Sequence, residues 1–322
     1  MSTSSDVSLG WLRTQSQQRA DLENNPAVSD PEWNGYLTNS RKRLYNMLVG
    51  AYGNDYFVSS YYNFTLGSSQ FVPLPTGAPT FIDADGNIAP KMFKLLDVDL
   101  QYSAAPSGWI TLKRFEEIER NKYQWNNTAV TYTGYSNLRY RLSGTNLMFV
   151  PLPMSGQVGR IRYIPAPTNL QYALSGFSVS GTAVIGSMSD TTGVVSGMRA
   201  HSFLQGVLPS NTTVLSVTTT TMTLSNNALA SVNANTFAMW TDATVVDGIS
   251  GWDEFIILDA AVKAQIKQEG PSQELMLERE KIIAEIEALA EGRDAGQAQH
   301  VSDALGASSY YGDGMGDYGD FF

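Results

Sequence analysis

Few residues of this chain have the types and spacing that catalysis requires. Histidine occurs twice, as His201 and His300, and the lack of cysteine excludes thiolate nucleophiles, thiolate metal sites and disulfides. The patterns HExxH, GxSxG and the P-loop, which would mark a catalytic metal, a nucleophilic serine or a phosphate-binding lysine, do not occur in the sequence. We therefore predict that the protein is not an enzyme and that it uses no cofactor and no metal.

One acidic run has the spacing of a metal site. The run Asp83-Ala84-Asp85-Gly86-Asn87 is similar to the start of a calcium-binding loop. Such a loop needs a bidentate glutamate six residues after its glycine, and this chain has Met92 there. We favour an ordinary Asp-Gly turn over a calcium site.

A basic run, Arg41-Lys42-Arg43, is the second charged motif. It has two interpretations: contact with DNA or an acidic partner, or a solvated helix end. The dipole of a helix favours cations near its C-terminal end, where this run would lie. We favour the solvated helix end.

Aromatic residues gather near the C-terminus, in a stretch (308–322) that contains many glycines and neither lysine nor arginine. A chain of this composition does not fold alone, so its aromatic side chains would need pockets on a partner. A disordered end is the competing interpretation. The candidate docking residues are Tyr310, Tyr311, Tyr318, Phe321 and Phe322.

Composition limits the partners of the chain. A net charge of −10 opposes binding to nucleic acid through its phosphates, because that affinity comes from lysine and arginine. It suits an acidic wall past which DNA slides without sticking. No apolar run approaches the ~18–20 residues that span a bilayer, and the first residues lack the features of a signal peptide. We expect a soluble chain that has no membrane contact and is not exported through a signal peptide.

Helical patterns lie towards the two ends of the chain. A first helix is predicted within residues 5–23, and a second starts at Asp30-Pro31 and ends at Gly50 or Gly53. Two more are predicted in residues 251–291, the second with Gly292 as its C-cap. The apolar residues at helical spacing are Trp33, Leu37, Leu44, Met47 and Leu48, then Phe255, Leu258, Val262 and Ile266, then Leu275, Ile282, Ile286 and Leu289. The last stripe predicts core packing rather than a coiled-coil seam, since it lasts only two heptads.

The middle of the chain has β character. Short extended runs with proline and glycine fill residues 56–167, and the charged stretch 113–122 predicts one short helix among them. Residues 175–240 hold only Asp190 and Arg199 as charged residues, among many Thr, Ser, Gly and Val. Short runs separated by turn residues there predict a small inserted sandwich or barrel.

These elements predict an α+β fold, with a helical-bundle core formed by the N- and C-terminal segments. The core would carry β-rich insertions, including a small β-sandwich or barrel-like module. The predicted units are N-terminal core helices, a β-rich domain, an inserted β module, C-terminal core helices and an extended arm, at residues 1–55, 56–175, 176–247, 248–292 and 293–322.

Four stretches together carry a resemblance to a known family. DPEWNGYLTNSRKRLYNML, FKLLDVDLQY with GWITLKRFEEIERNKY, YRLSGTNLMFVPLPMSGQVGRIRYIPAPTNL and GWDEFIILDAAVKAQIKQE resemble head-to-tail connector (adaptor) proteins of tailed bacteriophages. The low-charge insert is similar to β modules that recur in phage structural proteins. With that insert, the resemblance covers roughly two-thirds of the chain.

The resemblance implies a structural protein of the virion neck, between head and tail, that is assembled in the cytoplasm of the bacterial host. Such proteins form a ring, commonly a dodecamer, beneath the portal protein. The ring extends the channel through which double-stranded DNA passes during genome ejection. The C-terminal arm would dock on the portal, and another surface would meet the tail nozzle. A carbohydrate- or receptor-binding tail component, with residues 176–241 as its binding face, is the alternative. A virion-associated hydrolase is a third, weaker hypothesis.

Overall fold

The computed structural model describes residues 7–23, 25, 27–51, 57, 61–78, 80–101, 108–121, 138–153, 155–188, 190–246 and 251–290. Within these ranges the chain forms four α-helices and fourteen strands in three sheets. The helices are α1 (Leu9–Arg19), α2 (Asp30–Ala51), α3 (Asp253–Lys267) and α4 (Gln273–Ala290).

The predicted fold class is wrong. Sheets make up most of the described architecture, and the helices form one pair near each end of the chain instead of a helical-bundle core with insertions. The physical reason lies in the kind of signal that each element leaves in a sequence. A helix of 15–22 residues shows its apolar stripe locally, whereas most of these strands have only two to five residues and pair with distant parts of the chain.

The four helices pack on one another, and we call them together the helical layer. Trp33, Leu37, Leu44 and Leu48 of α2 are fully buried, which confirms the predicted stripe, and Met47 packs partly buried against the same core. Pro31 stands in the first turn of α2, where its missing N–H costs nothing.

The last two helices match their predicted stripes only in part. Phe255, Leu258 and Val262 of α3 are buried as predicted, but Ile266 is 56% exposed. Ile286 of α4 is buried in the helical core, against which Leu275 and Ile282 pack partly buried, while Leu289 is 57% exposed. The predicted C-cap, Gly292, lies outside the described residues.

The first β unit is a pair of four-stranded sheets. One sheet has the order β1-β8-β3-β4 and the other β2-β7-β6-β5. Phe64 and Phe149, from facing sheets, meet in their shared apolar core with ring centres 6.0 Å apart. The strands are β1 (Tyr62–Thr65), β2 (Phe71–Pro73), β3 (Met92–Gln101), β4 (Trp109–Thr111), β5 (Lys113–Arg114), β6 (Arg139–Ser143), β7 (Asn146–Val150) and β8 (Val158–Pro165).

The helix predicted in residues 113–122 is confirmed only in part. The stretch begins with strand β5, and it is helical from the 3-10 turn at Glu117–Glu119 to residue 121, where the described range ends. Leu112, between β4 and β5, is buried and donates its backbone N–H to the carbonyl of Val98. The chain therefore passes from one sheet to the other at this point, and the charged residues after it stay on the surface.

The second β unit is a closed six-stranded barrel. Its strands run in the order β11-β14-β9-β10-β13-β12, and a bridge between Arg199 and Thr213 joins the last to the first. Backbone bonds of 2.8 Å from Ala200 to Thr212 and from Val214 to Met198 complete the closure. The strands are β9 (Tyr172–Ser178), β10 (Val184–Gly186), β11 (Arg199–Ser202), β12 (Val214–Val217), β13 (Met222–Leu224) and β14 (Val232–Trp240).

The barrel is filled by apolar side chains and by close backbone approaches. Ile185, Phe237 and Met239 are fully buried in its core. The chain enters it on β9 and leaves it on β14, which pair side by side with Tyr172 opposite Met239. Both connections therefore lie at the same end of the barrel.

Candidate functional site

The predicted docking residues lie outside the described residues, as does His300. They are Tyr310, Tyr311, Tyr318, Phe321 and Phe322. Their proposed role remains a prediction.

The basic run of α2 separates into three environments. Arg41 is buried and donates hydrogen bonds to the backbone carbonyl and the Oγ1 of Thr168, at 2.7 and 2.8 Å. Lys42 is exposed, and Arg43 turns towards Asp259 of α3. The interpretation as a solvated helix end is therefore wrong for Arg41, which holds the segment between β8 and β9 against α2.

Asp259, which is fully buried, is the centre of a charged site between α2, α3 and α4. Its Oδ1 accepts hydrogen bonds from Arg43 at 3.0 Å and Arg279 at 3.1 Å. Its Oδ2 lies 2.7 Å from the Nζ of Lys263 and accepts from the hydroxyl of Ser40 at 2.8 Å. We call these five residues the Asp259 cluster. Four contacts occupy the hydrogen-bonding capacity of the carboxylate.

The protonation of Asp259 follows from these contacts. Burial opposes the charged form and acts to raise the pKa. Hydrogen bonds and charge from Lys263, with Ser40 and Arg43, outweigh burial and hold the pKa of Asp259 below its ordinary value of 3.8. The carboxylate is therefore charged at neutral pH.

Positive charge exceeds negative charge in this cluster. Three cations surround one carboxylate, which leaves a net charge of about +2, and within the described residues Asp259 is the sole carboxylate within 4.0 Å of any of them. The side chains of Arg43 and Lys263 are 48% and 30% exposed. The site can therefore attract an external anion. Sequence reasoning missed it, although an aspartate amid the apolar face of α3 was a usable signal.

A second polar cluster joins the barrel to the helices. Arg13 of α1 donates to Asp242, just after β14, at 2.9 Å and to the Oδ1 of Asn34 at 3.2 Å. Backbone N–H groups of Leu9 and Gly10 bond to the carbonyls of Thr244 and Asp242. The start of α1 is thus held to the segment that follows β14, where the chain leaves the barrel.

His201 lies on β11, part-buried in the barrel wall. Burial disfavours its charged form and lowers the pKa below 6.5, while the negative charge of Asp30 acts weakly in the opposite direction. Its Nδ1 is buried and has no hydrogen-bond partner among the described groups. This histidine is therefore neutral at pH 7.

The outer face of the first sheet carries an arginine between two aromatic rings. The guanidinium carbon of Arg160 lies 4.0 Å from the ring centre of Tyr61 and 4.3 Å from that of Trp109. Its Nε donates to Asp99 at 2.9 Å, and Asp99 also accepts from the hydroxyl of Thr111 at 2.8 Å. This arrangement fixes the guanidinium on a polar and aromatic surface.

The calcium-like run is a turn. Asp83 accepts hydrogen bonds from the backbone N–H groups of Asp85 and Asn87, at 3.0 and 2.8 Å, which is the pattern of an Asx turn. In the part of the chain that the structure describes, no group of three or more metal-ligating side chains is gathered.

A shallow groove of about 360 Å³ opens between β1 and β2, the neighbouring outer strands of the two facing sheets. It is lined by Tyr62, Asn63, Phe64, Thr65, Val72, Pro73 and Val158. Burial raises the pKa of Tyr62, so its hydroxyl stays neutral.

None of the helices in the described ranges is long and apolar enough to cross a membrane.

No family model matches the chain, and no curated protein matches it either.

Proposed function

We propose that this protein is a structural adaptor in the neck of a tailed bacteriophage. It forms a ring, of twelve copies in the family that it resembles, beneath the portal, extends the channel for double-stranded DNA and docks the tail. The C-terminal arm contacts the portal through its aromatic residues, and another surface meets the tail nozzle. In this role the protein binds other proteins and catalyses no reaction.

The observation that carries the proposal is the attachment of both β units to the helical layer by hydrogen bonds from two buried arginines. Arg41 of α2 holds Thr168, which follows the first β unit, and Arg13 of α1 holds Asp242, which follows the barrel. A connector must keep the relative positions of its binding surfaces under load, and such contacts supply that rigidity.

The stretches that resemble phage adaptors also form one contiguous body. They correspond to α2, to the region of β3 to β5, to β6 to β8 and to α3. In that body α2 packs against α3, and Tyr45 of α2 packs with Ile164 of β8. The net charge of −10 further supports a DNA channel, because an acidic wall does not retain phosphates.

The test is assembly on the portal encoded in the same genome. We expect the isolated protein to be largely monomeric and to form rings only after the portal is added, as seen by negative-stain microscopy. A mixture in which portals carry no additional ring contradicts the proposal.

A matched pair of variants tests the arm. Substituting alanine for Tyr310, Tyr311, Tyr318, Phe321 and Phe322 should weaken portal binding, since ordering the arm costs on the order of 1–2 kcal/mol per residue and needs filled pockets. Alanine substitutions at Phe203 and Leu204, two exposed apolar residues of the barrel, are the control. If both variants bind the portal with the affinity of the wild type, the arm does not dock on the portal.

Glycan binding is the second candidate function. Trp109 and Tyr61 beside Arg160 and Asp99 combine aromatic rings with fixed polar groups, as carbohydrate sites require. This surface lies on the first β unit and not on the module, residues 176–241, that the sequence suggested. Binding of the full chain to a glycan array, lost in Trp109→Ala, would favour this function over the adaptor.

A further inference from the structure

We propose that the Asp259 cluster binds carboxylates of the C-terminal segment of the same chain, residues 291–322. The cluster holds Arg43, Lys263 and Arg279 around one carboxylate, so its surplus charge attracts a further anion. The inference concerns contacts within one chain and does not rest on the proposed function.

Charge identifies the occupant. Residues 291–322 contain six acidic residues and one arginine, so this segment is strongly negative. Three cations at one point match a carboxylate that can accept several charge-assisted hydrogen bonds. A nucleic acid backbone fits less well, because it needs a row of cations and this chain has a net charge of −10.

Chain length decides which carboxylates can reach the cluster. Arg279 and Ala290 are eleven residues apart on α4, which corresponds to about 17 Å at the rise of an α-helix. An extended chain covers roughly 3.3–3.6 Å per residue, so about five residues beyond Ala290 are needed to return. Glu291 and Asp294 are fewer than five residues beyond Ala290 and therefore too close in sequence, whereas from Asp303 onwards the segment is long enough to reach the cluster.

Tethering favours the same chain over a second copy. A segment joined by a short flexible linker has an effective concentration of order mM at its site. At a micromolar protein concentration, the segment of another molecule competes poorly for the cluster. The carboxylates far enough from Ala290 to contact the cluster are those of Asp303, Asp313, Asp317 and Asp320.

Limited proteolysis of the full chain tests the proposal. Chymotrypsin cleaves after Tyr310 and Tyr311, and loss of the tail is followed by intact mass. Arg43→Gln should accelerate that cleavage by about three- to tenfold, the range expected for loss of a charge-assisted contact. The control is Lys42→Gln, which removes the same charge from the neighbouring exposed position of α2 and should leave the rate unchanged.

A second pair of variants leaves the folded residues untouched. Changing Asp303, Asp313, Asp317 and Asp320 together to Asn should accelerate tail loss, whereas Asp294→Asn should not, because position 294 is too close in sequence to Ala290 to return to the cluster. This pair decides the question if Arg43→Gln fails to fold. Raising the salt concentration should accelerate cleavage of the wild type and not of Arg43→Gln.

Several results would overturn the inference. Equal rates for Arg43→Gln and Lys42→Gln, with equal rates for the two tail variants, mean that the segment does not bind the cluster. If protection of the tail from chymotrypsin increases with protein concentration, the cluster binds the tail of a second copy. Protection that appears only when DNA is added assigns it to phosphate. Portal binding has no part in this measurement, so its outcome is separate from that of the adaptor proposal.

Discussion

The barrel and the helical layer both have an apolar core, but they differ in how much charge takes part in their stabilisation. The barrel has almost no charge, and its wall is closed by backbone hydrogen bonds around a core that includes Phe237 and Met239. The helical layer has an apolar core too, but ion pairs between residues more than 200 positions apart, such as Arg43 with Asp259, cross it. We therefore expect the stability of the helical layer to depend on pH and salt concentration more strongly than the stability of the barrel.

Removing the central carboxylate should have the largest effect. Asp259→Ala leaves three cations near a buried position without their partner, and we expect a loss of about 3–5 kcal/mol in the free energy of unfolding. Chemical denaturation measures it. Glu280→Ala, an exposed carboxylate on α4, is the control and should change stability by less than about 0.5 kcal/mol.

The effect of Asp259→Ala should also depend on pH. Because the folded-state pKa is lowered, the carboxylate stabilises the fold above its ordinary pKa of 3.8, and this contribution is lost as pH falls through the folded value. The difference between variant and wild type should therefore shrink in acid. A difference that stays constant with pH would show that lost packing, and not lost charge, destabilises the variant.

Arg41 tests the polar contact between helix and first β unit. Arg41→Lys removes the Nη1 that donates to both oxygens of Thr168, and the compact ammonium of lysine does not reproduce the planar guanidinium, so we expect a loss of about 1.5–3 kcal/mol in the free energy of unfolding. Lys42→Arg, its exposed neighbour, should be neutral. If both variants unfold at the same denaturant concentration, the contact contributes nothing and the helical layer resembles the barrel more than we infer.

The stability of the barrel should depend on close packing in its core. A Cβ added at Gly176 would lie 2.6 Å from the Sδ of Met188 and 2.8 Å from the Cγ2 of Ile185, so Gly176→Ala should cost about 1–3 kcal/mol at any salt concentration. At Gly50 of α2 a Cβ meets nothing within 4 Å, so Gly50→Ala should not destabilise. Salt dependence of the Gly176→Ala effect would contradict the comparison.

His201 should give the barrel a weak pH dependence of its own. Because burial lowers its folded-state pKa, the unfolded chain binds the proton more tightly, and stability should fall as pH decreases through 6.5. His201→Gln should abolish that slope, and His300→Gln serves as the comparison. NMR titration of the imidazole gives the pKa directly, and a value above 6.5 would refute the assignment.

Local signals explain what the sequence could predict. The stripe of α2 and the break at Gly270-Pro271 place helices because both depend on residues a few positions apart. The low charge of residues 175–240 likewise indicates a small β module, since few charges and many turn residues suit short strands.

Distant pairings explain what it could not predict. Barrel closure depends on Arg199 meeting Thr213 and on β9 meeting β14, and no local pattern encodes either pairing. The Asp259 cluster was hidden for the same reason, because its cations come from α2, α3 and α4. Arg279 does not belong to the predicted apolar stripe of α4, yet it faces inward and donates to Asp259.

The side-by-side start and end of the barrel have an evolutionary consequence. Tyr172 and Met239 are paired residues on neighbouring strands, so their Cα atoms lie about 5 Å apart, a gap that a tight turn spans. Recombination can therefore delete the whole barrel, or substitute another module of any length, while the rest of the chain keeps its path. A genome can vary this part of the protein in one genetic event without redesigning its neighbours.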